Sequence, residues 1–150
     1  MGARFATTGG KVTTTTGLKT AVGVTGGTGL RIRLYDFTVS AVGTPADNVL
    51  RWVVQRSTAA GTLTAITPAP LDSADAAAEA TAGENHTVEP TYTTATELFD
   101  NAVNQRATYR WVAAPGGELI VPATASNGIG FQVLSPAYTG QSDATLHHEE

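Results

Sequence analysis

A regular alternation of apolar and polar residues runs from Leu30 to Ser40 and constrains the fold more than any other feature. Leu30, Ile32 and Leu34 alternate with arginine and tyrosine, and the period of two continues through the rest of the segment. Side chains of a β-strand point alternately to opposite faces, so this pattern predicts a long strand with one buried face. Shorter segments with the same period recur at 48–57, 107–113 and 129–133.

Threonine and glycine dominate the composition, with 25 threonines and 16 glycines in 150 residues. Threonine is stiff at χ1 and glycine loses the most backbone entropy on ordering, so both disfavour long helices. Turn sequences separate the alternating segments, among them Gly43-Thr44-Pro45, Pro115-Gly116-Gly117 and Asn127-Gly128. About seven or eight short strands at this spacing predict an all-β fold, an antiparallel jelly roll or β-sandwich.

The first 29 residues have a composition of their own. They hold eight glycines and nine threonines, with few apolar side chains to bury. Such a stretch cannot build a core by itself, so we predict an extended N-terminal arm at 1–29 and a β-sandwich domain at 30–150. Arg4, Phe5 and Lys11 are the residues through which this arm would bind a partner.

The segment 94–105 fits two structures. Thr94 and Glu97 have the spacing of a helix capping box, and Leu98 begins a set of apolar residues that would share one helical face. Alternatively, the segment is one half of a hairpin that turns at Asn104-Gln105 and returns as a strand over 107–113. The sequence leaves both structures open.

Charge and hydropathy exclude several classes of protein. The net charge of −4 does not suit a nucleic-acid partner, whose phosphates attract a basic surface. The chain has no cysteine, which excludes disulfides and thiolate metal sites. No stretch approaches the roughly 18 apolar residues of a membrane span, and the first ten residues lack the apolar segment of a signal peptide. We therefore expect a chain made in a cytoplasm, with no nucleic-acid or membrane partner.

Three short motifs have spacings that chemistry sometimes uses. Thr25-Gly26-Gly27-Thr28-Gly29 is similar to a phosphate-binding turn, but a strand pattern follows where that chemistry needs a helix. His147 and His148 offer metal ligands, although neighbours on a strand point to opposite faces, and whether they bind a metal is left open. Asp36, set between aromatic residues in a strand, indicates a hydrogen-bonded carboxylate rather than a general acid. With no nucleophile–base pair, we predict a protein that is not an enzyme and binds no cofactor.

Aromatic residues at strand positions allow two interpretations. Exposed together, they would form a platform for sugar rings, whereas in a sandwich such residues more often fill the core. We predict core positions for these five: Tyr35, Trp52, Tyr109, Trp111 and Phe131. The apolar strand residues predicted to join them are Leu30, Ile32, Leu34, Leu50, Val54, Ile129 and Val133.

Four segments carry a resemblance to a known group of proteins. They read RWVVQRST at 51–58, TPAPLD at 67–72, QRATYRWVAAPG at 105–116 and PATASNGIG at 122–130. In the residue types and order of these segments, the chain resembles a group of small head proteins of tailed bacteriophages. These are the decoration or cement proteins, which have jelly-roll folds. None of the four segments is a mechanistic motif, and the resemblance covers most of the chain after residue 29.

The resemblance implies a structural virion protein that stabilises the head. It implies a homotrimer that binds the major capsid protein on the outer surface of the capsid, after assembly in the host cytoplasm. A carbohydrate- or receptor-binding module of a phage tail or fibre is the alternative function, and an exposed Trp52 or Trp111 would favour it. A jelly-roll enzyme is a third possibility, but it would need a histidine-rich metal motif on strands, which the chain lacks.

Overall fold

The structure, a computed structural model, describes residues 2–150 and contains twelve β-strands, all paired antiparallel. Within this range no helix is long and apolar enough to cross a membrane. In chain order the strands are β1 (Arg4–Lys11), β2 (Lys19–Thr25), β3 (Ile32–Ala41), β4 (Val49–Ala59), β5 (Thr62–Ile66), β6 (Ala69–Pro70), β7 (Thr81–Val88), β8 (Thr91–Asn104), β9 (Tyr109–Val112), β10 (Leu119–Val121), β11 (Gly128–Leu134) and β12 (Ser142–Glu149).

The strands form two six-stranded sheets that pack face to face. Sheet A has the order β10-β3-β12-β1-β6, and β9 pairs with the same edge of β3 as β10 does. Sheet B has the order β5-β7-β2-β11-β4-β8. The rings of Phe37 in sheet A and Phe131 in sheet B meet edge to face at 5.1 Å across the core. The predicted all-β antiparallel sandwich is confirmed, and the jelly-roll connectivity stays a prediction.

Most of the predicted core is found where the alternation placed it. Trp52 is 1% exposed, and the buried apolar residues of β3, β4 and β11 surround it. Leu30 was wrongly placed in the core: it is 43% exposed because β3 begins only at Ile32. Tyr109 and Trp111 are half-buried at the margin of the core. Tyr35 is half-buried on the outer face of sheet A, so its predicted core position is also corrected.

The structure corrects the predicted division into an arm at 1–29 and a domain at 30–150. β1 pairs with β12 along its whole length, and β2 lies in the middle of sheet B between β7 and β11. Phe5, Val22 and Val24 are buried, each 2% exposed or less. The glycines and threonines of this segment need no large core of their own, because larger side chains from other strands cover them.

The segment 94–105 is a strand, as the second of the two sequence interpretations had it. It lies within β8, which pairs with β4. The predicted hairpin with 107–113 does not form, however. The turn closed by the Ala107 amide and the Asn104 carbonyl leads from β8 in sheet B to β9 in sheet A.

One continuous two-stranded ribbon accounts for much of sheet B. β4 and β5 form one side of this ribbon and β7 and β8 form the other, with irregular register near its middle. One end of the ribbon pairs with β11 and the other with β2. Gly23 and Gly130 are cross-strand neighbours on the β2–β11 pair, and the ribbon lays His86 and Tyr92 over them. Two adjacent residues without a β-carbon make this close approach of the ribbon possible.

Candidate functional site

Charged and aromatic side chains gather on the outer face of sheet A. They come from four strands and the loop before β10, and they lie on the opposite side of the sheet from the core. We name this group the sheet A charged face. Its members are Arg4, Arg33, Tyr35, Asp36, Arg110, Glu118, His147 and Glu149.

A bulge in β3 explains how two consecutive residues reach the same face. His147 pairs with Asp36 and His148 with Leu34, so Tyr35 has no partner on β12. Both residues contact His147: the ring of Tyr35 stacks on its imidazole at 6.2 Å, and the carboxylate of Asp36 bonds to its Nδ1. The extra residue of a β-bulge re-aims side chains in this way.

Asp36 is the central group of the charged face. Its side chain is only 6% exposed, and Arg110 donates to it twice, from Nε to Oδ1 at 3.0 Å and from Nη2 to Oδ2 at 2.7 Å. His147 Nδ1 lies 3.2 Å from Oδ2. The hydrogen bonds from Arg110 hold the pKa of Asp36 below its usual value, with His147 contributing in the same direction and burial opposing both. Asp36 therefore fixes the orientation of an arginine whose side chain remains 63% exposed.

A cavity of about 200 Å³ opens beside this centre, lined by Arg4, Arg33, Tyr35, Glu118 and Glu149. Arg4 Nε lies 3.5 Å from Glu149 Oε2, and its guanidinium stands 5.9 Å from the centroid of the Tyr35 ring. Arg33 forms no ion pair with any group in residues 2–150. The cavity thus holds two arginines and two glutamates, and the unpaired guanidinium of Arg33 is the group that can contact a carboxylate on another molecule.

Of the three residues predicted to bind a partner, only Arg4 belongs to this face. Phe5 is 1% exposed and stacks on the imidazole of His148 at 5.4 Å inside the protein. Lys11 crosses between the sheets and donates from Nζ to the carbonyl of His86. Phe5 and Lys11 are therefore occupied within the fold, and neither offers the free contact that an extended arm would have allowed.

The sequence did not indicate most of the charged face. Arg110 and His147 lie 74 and 111 residues from Asp36 in the chain, and only strand pairing brings them together. Asp36 itself was interpreted as a hydrogen-bonded carboxylate in a strand, and that is its state in the structure. The one local signal was a carboxylate placed between two aromatic residues, Tyr35 and Phe37.

His147 and His148 point to opposite faces of sheet A and do not act together. His148 is fully buried, with Nε2 3.3 Å from Glu150 Oε1, and the carboxylate of Glu150 accepts hydrogen bonds from the amides of Glu79 and Ala80. Residues 2–150 contain no group of three or more histidine, cysteine or acidic side chains arranged to hold a metal ion. After the glycine-rich turn at 25–29, the next element is strand β3, so no helix N-terminus faces that turn.

The alternative of a sugar-binding platform needs open aromatic faces. Trp52 is buried in the core, and Trp111 stacks on Phe37 at 5.2 Å. The half-buried ring of Tyr35 already has Arg4 and His147 against it. The exposed tryptophan that would have favoured carbohydrate binding is therefore not found.

A second polar cluster lies under the ribbon, on the outer side of sheet B. Thr20 Oγ1 is 2.5 Å from Glu89 Oε2 and 2.7 Å from the hydroxyl of Tyr92. Burial raises the pKa of Tyr92 and lowers that of His86, so both side chains are neutral near pH 7. This cluster is partly buried, and its hydrogen bonds join the ribbon to β2.

Comparison with known proteins gives no relative for this chain: no protein-family model, no curated protein and no solved structure matches it.

Proposed function

We propose that this chain is a structural virion protein, a decoration subunit that binds the major capsid protein lattice and stabilises the head of a tailed bacteriophage. The resemblance at 51–58, 67–72, 105–116 and 122–130 supports the virion role. In this proposal three copies associate on the outer surface of the capsid, and the work of the protein is binding rather than catalysis.

The observation that carries the proposal is the sheet A charged face. Seven of its eight residues lie on paired strands, and a buried carboxylate holds Arg110 in place. Preorganised groups lose little entropy on binding, so most of their interaction energy appears as affinity. Charged groups arranged in this way also select the partner and its orientation.

Because the subunit is present in many copies, a small binding surface on each copy is enough for attachment to the capsid. Each subunit of a decoration assembly adds one docking surface, and linked surfaces bind far more tightly than one alone. A rigid charged face of this size on each of three subunits is therefore sufficient for stable attachment to a lattice, without a deep binding pocket.

The test is co-sedimentation of the purified protein with heads of the phage that encodes it, prepared without their decoration subunit. We expect the wild-type protein to bind and Arg33→Glu to weaken binding at least tenfold, because it reverses the unpaired guanidinium of the charged face. Arg51→Glu is the matched control, since it makes the same charge change on sheet B, where Arg51 pairs with Asp100. Absence of wild-type binding would refute the function, and equal loss in both variants would refute the assignment of the face.

A further inference from the structure

One side of the sandwich is open. There β8 forms the free edge of sheet B, while β9 and β10 form the free edge of sheet A. The two edges lie side by side, because the rings of Phe99 on β8 and Tyr109 on β9 have centroids 5.3 Å apart. We name this the open side.

Partly buried apolar residues that pack against the core concentrate on the open side, whereas the more exposed ones, such as Val12 and Val88, are scattered over the surface. Nine partly buried hydrophobic residues pack against the core, and six of them belong to β8, β9 and β10. Fuller burial of such residues stabilises a folded protein, so their exposure along one side typically marks a contact surface. The six residues are Leu98, Phe99, Val103, Tyr109, Trp111 and Leu119.

On the opposite side of the sandwich, which we name the sealed side, hydrogen bonds join the two sheets. There the amides of Gly10 and Val12 donate to the side chains of Glu84 and Asn85, at 3.0 and 3.3 Å. On the open side, no side chain of residues 2–150 bonds to the backbone between Leu98 and Val103. The 14 residues of β8 contain no proline or lysine, two residues that commonly protect edge strands; its charged residues are Glu97 and Asp100, and its register shifts lie opposite Val54 to Ala59.

We infer that the open side is where copies of this chain contact one another, with β8 of one subunit against β9 and β10 of the next. A ring of three or more subunits requires each subunit to present two different surfaces, and the open side has two different edges next to each other. Their charges are complementary: Glu97 is exposed on β8, and the 63% exposed guanidinium of Arg110 lies on β9. This contact shares Arg110 with the sheet A charged face, to which the proposed function assigns capsid binding, and its other residues lie outside that face.

The absence of cysteine from the chain allows a direct test by cross-linking. Ala102 on β8 and Val112 on β9 are exposed, and we expect Ala102→Cys/Val112→Cys to form covalent chains between subunits on treatment with short bis-maleimides. Each single variant should stay uncross-linked, because β8 faces β9 of the neighbour and not another β8. Val12→Cys, which is 62% exposed on the sealed side, is the control and should give no product.

The native mass of the full chain provides the second measurement. We expect a closed assembly of three or more chains, which Ala102→Lys shifts to monomer by placing a charge beside the edge of β8. A wild-type monomer at high concentration, efficient cross-linking of Ala102→Cys alone, or an assembly unaffected by Ala102→Lys would each overturn the inference. Head binding of a monomeric Ala102→Lys protein, measured separately, distinguishes a failure here from a failure of the proposed function.

Discussion

The hydroxyl of Tyr92 lies against Gly130, at the position where a β-carbon of residue 130 would stand. Tyr92 belongs to β8 and reaches across the outer side of sheet B to bond Thr20 on β2. The glycine therefore provides the space in which the ribbon is joined to the centre of the sheet.

Gly130→Ala should destabilise the protein by about 1–3 kcal/mol, the usual cost of forcing extra volume into a packed site. The new methyl group displaces the Tyr92 ring and breaks its bond to Thr20. Chemical denaturation measures the change in the free energy of unfolding. Gly17→Ala serves as the control, because nothing lies within 4 Å of the added carbon, and an equal loss in both variants would contradict the explanation.

Trp52→Ala should cost about 3–5 kcal/mol, because it leaves a large cavity in the centre of the sandwich. Trp52 is 1% exposed, whereas Trp111 is half-buried at the margin, so Trp111→Ala should cost less. Melting temperatures of the two variants show which tryptophan contributes more to stability, and Val112→Ala is the control at an exposed position. The same melting temperature for Trp52→Ala and the wild type would be incompatible with this core.

Asp36→Asn should reduce stability by about 1.5–3 kcal/mol, the range for hydrogen bonds to charged groups, because it removes the charge that Arg110 and His147 share. Asp100→Asn is the matched change at an exposed pair, where both side chains are more than 40% accessible and the expected loss is about 0–1 kcal/mol. Urea denaturation of both variants at neutral pH compares them. If Asp100→Asn lowered the free energy of unfolding as much as Asp36→Asn, burial would not explain the contribution of Asp36 to stability.

Stability should fall as the pH is lowered from 7.5 to 5.5. Burial lowers the pKa of His86 and of His148 below the ordinary 6.5, so the unfolded chain binds protons more readily than the folded protein. The stabilisation is fully present above pH 6.5 and is lost as the pH falls towards the folded-state pKa. His86→Gln should show a smaller decrease in the free energy of unfolding over this range, and a decrease as large as that of the wild type would exclude His86 as a source.

Deletion of residues 1–28 should abolish folding, because it removes β1 from sheet A and β2 from the middle of sheet B. Circular dichroism and the loss of a cooperative thermal transition report the result. Deletion of residues 1–3, which precede β1, should leave the transition in place. A folded protein after the longer deletion would restore the arm that the sequence predicted.

The local pattern predicted individual strands better than their partners. Period-two alternation placed β3 and β11 correctly, because the alternation of buried and exposed side chains appears directly in the order of consecutive residues. β1 and β2 were missed because many of their buried positions are glycine, alanine or threonine, among them Thr7, Gly9, Thr20 and Ala21, which look too small for a core. The predicted turn at Asn127-Gly128 separates β10 from β11, but the sequence did not show that these strands belong to different sheets.

The candidate site could not be derived from sequence for a related reason. Arg110, Asp36 and His147 meet only after three distant strands pair in one register. The bulge at Tyr35 turns Asp36 outward beside His147, and no local sequence pattern indicates this bulge. The charges were visible in the sequence, but their convergence depends on the register.

The position of β12 between β1 and β3 sets the order in which the protein can mature during translation. Sheet A is divided into two separate parts until Ser142–Glu149 has emerged from the ribosome, although β1 and β3 are among the first strands to be made. During synthesis β1 and β3 therefore precede the strand that joins them, and sheet A is complete only when β12 pairs with both.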